Sequence, residues 1–214
     1  LQEGAGRWVK NLIRRLIMTK NNFNKDVKMH LACDGNDFRP AMNCIYFKGD
    51  FAYASNDKVL VKNRISEISG LDDSEIKALD GKYLHKGFYE DMLKYDNITI
   101  SDDGIECSKG VDKVFFYFSE IGPDFDKYPN AEKLLQDVLN MQTVPLSYIS
   151  FDINLLQILN NALYSSSKCF ATFKGVLKPI LFNSADPDVS SIGLLCSYNS
   201  ERYEDSPEHF SVYD

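Results

Sequence analysis

The sequence lacks the features that mark several large classes of protein. No apolar run approaches the roughly 18 residues that are needed to cross a bilayer, so we expect no membrane-spanning segment. Basic residues are outnumbered, with 24 Lys and Arg against 31 Asp and Glu. The net charge of -7 argues against nucleic-acid binding over the whole surface, because affinity for phosphates comes from Lys and Arg. It leaves room for a locally basic face on an acidic body.

Paired cysteines are also missing. The five cysteines are Cys33, Cys44, Cys107, Cys169 and Cys196, and no two of them have C-x-x-C spacing. An odd and scattered set does not indicate the disulfide framework of a secreted domain. We therefore expect reduced thiols and a cytoplasmic location.

No group of residues indicates catalysis or a cofactor. A Gly-rich phosphate loop before a helix and a G-x-S-x-G motif are both missing. His30 lies near Cys33, but two residues do not complete a tetrahedral metal site. As a nucleophile and its base this pair remains an alternative to a partly buried structural segment. The acidic clusters around Asp72 and Asp102 lack the spacing of a calcium loop, so we predict no enzymatic activity, no cofactor and no metal site.

What is present indicates a folded chain, with 44% hydrophobic and 26% charged residues. Residues 1–17 differ from the rest, since they carry four basic residues and one acidic residue. Two interpretations remain open: a short amphipathic helix, or translated upstream sequence with Met18 as the native start. A signal peptide is disfavoured, because the apolar part is too short and too charged.

Short strands separated by turns dominate residues 39–119. Alternating apolar residues and turn dipeptides such as Asn56-Asp57 predict six strands there. They cover Ala41–Lys48, Phe51–Ser55, Val59–Ile65, Ile98–Ser101, Ile105–Ser108 and Val114–Ser119. Apolar residues at helical spacing predict a helix over Tyr83–Tyr95. Three prolines mark residues 122–145 as a connection, with a short helix around Ala131–Leu139.

One order of elements occurs more than once. Strand, helix and three strands follow each other at Gly81–Glu120 and again at Ser147–Tyr198, and residues 39–66 supply a third three-strand set after a weak helix. In the second copy the strand is Ser147–Phe151 and the helix is Asp152–Tyr164. The domains are predicted as an extension at 1–17, a domain at 18–140, a half-size unit at 141–200 and an acidic tail at 201–214.

Three stretches carry a resemblance to a known family. They are "RPAMNCIYF" with "FAYASNDKVLV", "GKYLHKGFYEDMLKYDNITI" through "FDKYP", and "ISFDINLLQILNNAL" with "KPILFNSADPDVSSIGLLCSY". In pattern and order they resemble the bacterial sliding clamp, the β subunit of DNA polymerase III. The first two stretches are similar to the second clamp domain, and the last is similar to the closing half of the third. The resemblance implies an α+β, DNA-clamp-like fold of repeated βαβββ units, with antiparallel sheets and helices on one face.

The resemblance also implies a pocket that takes short hydrophobic peptides from DNA polymerase or other replication proteins. Carried over by position, the pocket residues are Met42, Ser55, Asp57, Lys58, Val59, Leu60, Cys196, Ser197 and Tyr198. This sequence departs from the family at Asp57, where the family has Gly, at Val59, where it has Arg, and at 196–198, where it has Met-Pro-Met. The alternative interpretation is that the apolar members are ordinary strand residues of the core.

In sliding clamps, helices line a central hole that holds duplex DNA. Carried over, Lys86 and Lys94 would face the DNA, but Glu90 and Asp91 accompany them, and helix Asp152–Tyr164 has no Lys or Arg. Our first hypothesis is a compact, non-enzymatic replication accessory of phage or mobile-element type. It would dock partner peptides and assemble, through its edge strands, as a homo-oligomeric ring around double-stranded DNA. The second is a clamp-fold interaction module that does not encircle DNA, and the third is an α+β enzyme, which would need a convergent polar site.

Overall fold

The computed structural model describes residues 21–35, 39–121, 128–146, 149–165 and 168–197. The extension predicted at 1–17, the tail predicted at 201–214 and the candidate pocket residue Tyr198 lie outside these ranges. The proposed division into domains stays a prediction.

Ten strands in the described residues form two antiparallel sheets. They are β1 Cys44–Lys48, β2 Phe51–Ser55, β3 Val59–Arg64, β4 Tyr83–His85, β5 Asn97–Ile100, β6 Gly104–Lys109, β7 Asp112–Tyr117, β8 Cys169–Thr172, β9 Ile180–Ser184 and β10 Ile192–Leu195. The larger sheet has seven strands in the order β4-β1-β2-β3-β10-β9-β8, and the smaller has the order β5-β6-β7. The pairing of β3 with β10 joins the first three-strand set to the last one.

Five α-helices lie in the described residues. They are α1 Ile65–Ile68, α2 Asp73–Ala78, α3 Lys86–Met92, α4 Ala131–Asn140 and α5 Ile153–Ala162. The side chain of Asp72 caps α2 and that of Asp152 caps α5, each by accepting backbone N–H groups of the first turn. A 3-10 helix at Met29–Ala32 takes the place of the weak helix predicted before the first strand set.

The larger of two hydrophobic clusters lies on what we call the inner face of the seven-stranded sheet. Because side chains alternate along a strand, Val59 and Val61 of β3 point to this face. Side chains of α3, α5, the 3-10 helix and the smaller sheet complete the cluster. Gly193 of β10 lets α5 approach closely, since a Cβ there would lie 2.5 Å from Leu159 Cδ1. This cluster packs the two sheets, α3, α5 and the 3-10 helix together.

The predicted fold class is confirmed: the chain is α+β with antiparallel sheets. In the described residues β4, α3 and β5–β7 form one full βαβββ unit, and α5 with β8–β10 repeats the helix and its three strands. The helices do not share one face as predicted, because α4 and α5 pack on opposite faces of the larger sheet. Strand β2 lies at the predicted residues, but β1 begins at Cys44 because Pro40 opens a 3-10 helix at Pro40–Asn43. The predicted helix at Tyr83–Tyr95 is shorter, because its first three residues pair with β1 as strand β4. The strand predicted at Ser147–Phe151 is wrong for residues 149–151, which have no strand structure.

Candidate peptide-docking surface

The corner between β2 and β3, residues 55–60, is shaped by its own polar side chains. Asn56 Oδ1 accepts the backbone N–H groups of Lys58 at 3.1 Å and Val59 at 2.8 Å. Ser55 Oγ accepts the N–H of Asp57 at 3.3 Å. Asp57 has a φ of 68°, a left-handed conformation that Asp and Asn tolerate better than most residues. The Ser-Asn-Asp sequence therefore builds this turn at the position where the family has Gly.

Arg39, which precedes the 3-10 helix before β1, forms an ion pair with this corner. Its guanidinium forms ion pairs with the carboxylates of Asp57 and, at 3.3 Å, Asp34. Arg39 is also the N-cap of the 3-10 helix that contains Met42. The Arg39-Pro40 pair thus fixes Met42 and the corner relative to each other.

The corner and the segment after β10 lie side by side. The N–H of Cys196 donates to the Lys58 carbonyl at 2.8 Å, and Cys196 Sγ donates to the Asp57 carbonyl at 3.5 Å. Burial, together with the nearby Asp57 carboxylate, raises the pKa of the Cys196 thiol, so it stays protonated. Ser197 follows and is half-buried. Five of the predicted pocket residues therefore meet here: Ser55, Asp57, Lys58, Cys196 and Ser197.

The three apolar pocket residues in the described part of the chain divide between two faces of the sheet. Val59 belongs to the inner cluster, whereas Met42 and Leu60 belong to a second cluster on the opposite, outer face. On that face Leu60 lies opposite Leu194, which lies opposite Leu181, so that three leucines cross β3, β10 and β9 in one row. Together with Met42 these three leucines form what we call the covered patch.

Helix α4 covers this patch. Its Ala131, Leu135 and Val138 are buried in the same cluster as the patch residues, and they share one side of the helix because they are four and three residues apart. Leu135 is 2% exposed, whereas its neighbour Leu134 is 45% exposed. Met42 and Leu60 are therefore buried in this structure beneath a helix of the same chain.

Polar contacts fasten both ends of α4. At the N-terminal end, Lys62 and Tyr53 both donate to Glu132 Oε1. Burial alone would raise the pKa of Glu132, but these two hydrogen bonds outweigh it and hold that pKa below its usual value. At the C-terminal end, Lys174 Nζ donates to the carbonyls of Met141 at 2.8 Å and Leu139 at 3.4 Å.

An aromatic cleft opens beside the N-terminal end of α4. It has a volume of about 440 Å³, and its lining includes Tyr46, Tyr53, Tyr83, Tyr128 and Glu132. The Tyr46 and Tyr83 rings stack with centroids 4.6 Å apart. The outer face is therefore apolar under α4 and aromatic next to it.

The two lysines predicted to face DNA have local partners. Lys86 Nζ donates to the Asp34 carbonyl at 2.9 Å. Lys94 lies beyond the end of α3 and pairs with Asp91 Oδ1 at 2.5 Å. Helices α3 and α5 both contact the 3-10 helix at Met29–Ala32, so these three elements lie side by side. The exposed charges here are mixed: Glu90, Asp91 and Asp152 are acidic, and Lys28, directly before the 3-10 helix, is basic.

The sequence leaves His30 and Cys33 open as a base and a nucleophile, and Cys33 is buried in the structure. Burial raises the pKa of Cys33, whose Sγ donates to the Met29 carbonyl at 3.9 Å, and it lowers the pKa of His30. A buried, protonated thiol does not serve as a nucleophile.

Within the described ranges no three His, Cys, Asp or Glu side chains come together as a metal site. The described helices include none with the length and hydropathy of a membrane span.

Sequence reasoning missed four residues of this surface: Leu181, Leu194, Leu135 and Val138. A signal exists for three of them, since Leu194 has the strand parity of Cys196, and Leu135 and Val138 have helical spacing from Ala131. That spacing predicts an apolar side of the helix but not the surface that it contacts. The position of α4 on the outer face, opposite to α5, could be found only from the structure.

No protein-family model matches the chain, and a search of curated proteins found no relative. Solved structures do match it. The DNA polymerase sliding clamp of Bacillus subtilis has a TM-score of 0.55 at 12% identity, covering 83% of this chain and 63% of the clamp. The DNA polymerase III subunit beta of Pseudomonas aeruginosa also has a TM-score of 0.55, at 11% identity, covering 82% of this chain and 63% of that one.

The H. pylori beta clamp gives the same picture, with a TM-score of 0.55 at 9% identity, covering 84% of this chain and 66% of that clamp. The chain thus spans about two thirds or less of the clamps it matches. At such low identity the likeness shows the fold, and it confirms the clamp-like fold that the sequence predicts.

Proposed function

We propose that this chain, which has the fold of the bacterial sliding clamps, is a non-enzymatic accessory of DNA replication in the cytoplasm that docks partner proteins. One observation carries the proposal: the pairing of β3 with β10 brings the corner at 55–60 against Cys196 and Ser197. These are the positions that the resemblance assigns to the peptide pocket. The row of leucines beneath α4 begins at this corner with Leu60, so an apolar anchor site adjoins it.

The proposal includes assembly into a ring around double-stranded DNA. Strands β7 and β8 each pair on one side among the described residues. Phe170 on β8 is 67% exposed and Tyr117 on β7 is also exposed. Such edges are sites for subunit pairing.

A second candidate is a clamp-fold interaction module that does not encircle DNA. The surface of α3 and α5 favours it, because Lys86 and Lys94 already have partners and α5 has no basic residue. A surface that slides on a duplex needs Lys and Arg against the phosphates.

Light scattering of the full chain, with and without circular double-stranded DNA, separates the two candidates. The ring hypothesis predicts an oligomer that stays with circular DNA and is lost when the DNA is made linear, because a ring slides off free ends. A strict monomer that ignores DNA would reject the ring and leave the module. Equal retention on circular and linear DNA would indicate ordinary surface binding and would also reject the ring.

A further inference from the structure

The two hydrophobic clusters of the described residues have no member in common, and α4 contributes only to the outer one. Helix α4 can therefore leave without opening the inner cluster. Three of its side chains are buried against the sheet: Ala131, Leu135 and Val138. A helix of ten residues is too short to stay helical alone in water, so docking on the sheet is what keeps it folded.

We infer that α4 is an internal ligand of the covered patch, and that a partner docks there by replacing it with an amphipathic helix of its own. The covered patch is Met42, Leu60, Leu181 and Leu194, as defined above. That the partner is a replication protein rests on the proposed function. The inference that another helix can replace α4 does not depend on the proposed function.

The contacts of α4 define the chemistry of such a partner. Apolar residues at positions i, i+4 and i+7 would take the places of Ala131, Leu135 and Val138 on the leucine row. An acidic residue at i+1 would take the place of Glu132, because Lys62 Nζ and Tyr53 OH both donate to that position. Lys174 would receive the carbonyls at the end of the helix, as it now receives those of Leu139 and Met141. The two lysines thus set the direction of the incoming helix.

The polar contacts that hold α4 on the sheet are accessible to a competing helix. The Glu132 side chain is 56% exposed, so water and a competing carboxylate reach this ion pair. The aromatic cleft beside Tyr128 and Glu132 leaves the N-terminal end of the helix open to solvent. An incoming helix could therefore engage the sheet from this end while α4 is still partly docked.

The test uses the helix itself as the probe. A labelled synthetic peptide of residues 128–141, YPNAEKLLQDVLNM, is titrated against the full chain and against two full-length variants. Leu135→Asp places a charge in the cluster and should release α4, whereas Leu134→Asp changes the exposed neighbour and should not. We expect the Leu135→Asp chain to bind the peptide at least about tenfold more tightly than the wild type, since it no longer has to displace a docked helix. The Leu134→Asp chain should behave like the wild type.

A peptide carrying the Leu135→Asp change is the matched negative control, and binding of that peptide equal to binding of the unchanged one would overturn the inference. So would a Leu135→Asp chain that keeps its far-ultraviolet circular dichroism but takes up no peptide. Should this variant fail to fold, hydrogen exchange of the wild type decides instead. The inference requires α4 amides to exchange faster than those of β1 and β3, and exchange only by global unfolding would overturn it. If the chain takes up the peptide but does not bind DNA, the ring hypothesis is rejected and the inference about α4 stands.

Discussion

Val59 and Leu60 are neighbours in β3, but they belong to opposite faces of the seven-stranded sheet. The inner face is covered by α3, α5 and the smaller sheet, which come from distant parts of the sequence. The outer face under Leu60 is covered by one helix, α4, with polar contacts at each end. Alternation along one strand thus gives the same sheet a core built from many elements on one side and the covered patch, beneath a single helix, on the other.

Polar contacts strengthen this difference. On the inner side, the fully buried Asn63 donates to the Ala162 carbonyl at 2.8 Å and accepts the N–H of Tyr164 at 2.9 Å. A buried amide that makes both bonds fixes the end of α5 to β3, because breaking either would leave a polar group unsatisfied. On the outer side, the pair between Glu132 and Lys62 has an exposed carboxylate. Exposed ion pairs of this kind are screened and contribute little.

The largest expected effect comes from removing inner-face volume. Ile45→Ala should lower the free energy of unfolding by about 2–5 kcal/mol, as for other buried aliphatic residues, because Ile45 is fully buried in the inner cluster. Leu135→Ala, on α4, should lower it less, since the loss cannot exceed the free energy of undocking that helix. Urea denaturation of both variants measures the difference. Equal losses would contradict the distinction between the two faces.

Gly193→Ala should have the next largest effect, about 1–3 kcal/mol of destabilisation from overpacking. The added methyl would lie 2.5 Å from Leu159 Cδ1 and 3.5 Å from Leu163 Cδ2, so the Leu159 side chain or α5 itself must shift. The same urea titration measures this loss in the free energy of unfolding. Combined with Leu159→Ala, the loss should be smaller than the sum of the two single losses, because the shorter side chain leaves room for the methyl. Additive losses would place the strain elsewhere.

Much of the fold could be predicted from the sequence, because the relevant signals are local. Alternation in residues 51–65 predicts β2 and all of β3, with Ile65 as one residue too many, and Asp152 is recognisable as the N-cap of α5. The first strand was predicted too early, since the alternation from Ala41 continues through residues that Pro40 directs into a 3-10 helix. Local patterns could not distinguish these two outcomes.

The candidate surface was less predictable, because it depends on strand order and register. Nothing near Leu60 in the sequence indicates that Leu194 and Leu181 lie beside it; the pairing of β3 with β10 and β9 decides this. The helical spacing of Leu135 and Val138 fits either face of a sheet equally well. Likewise, the sequence does not explain why Asp57 stands where the family has Gly, whereas the structure shows that Asp57 forms an ion pair with Arg39.

Lys174→Met should weaken the cover of the outer face without touching either cluster. The change removes the Nζ donor to the Leu139 and Met141 carbonyls but keeps an apolar stem of similar length. We expect a loss of about 0.5–1.5 kcal/mol in the docking of α4, the usual net contribution of a hydrogen bond. Hydrogen exchange of the α4 amides measures it, with the inner-face strands as the internal reference. Faster exchange in β1 to the same extent would show that α4 and the inner core open together.

The smallest expected effect is a dependence of α4 docking on pH. Lys62 and Tyr53 hold the pKa of Glu132 below its usual value of 4.5 despite partial burial, so the docked helix favours the carboxylate. This contribution is fully present above pH 4.5 and is lost as the pH falls through the lower pKa of the docked state. Because Glu132 is more than half exposed, we expect only about 0.5 kcal/mol. Exchange of the α4 amides, compared between wild type and Glu132→Gln from pH 6 down to about pH 3, should show the difference at the upper end and its disappearance at the lower. A Glu132→Gln chain with the same dependence on pH as the wild type would mean that another carboxylate fastens the helix.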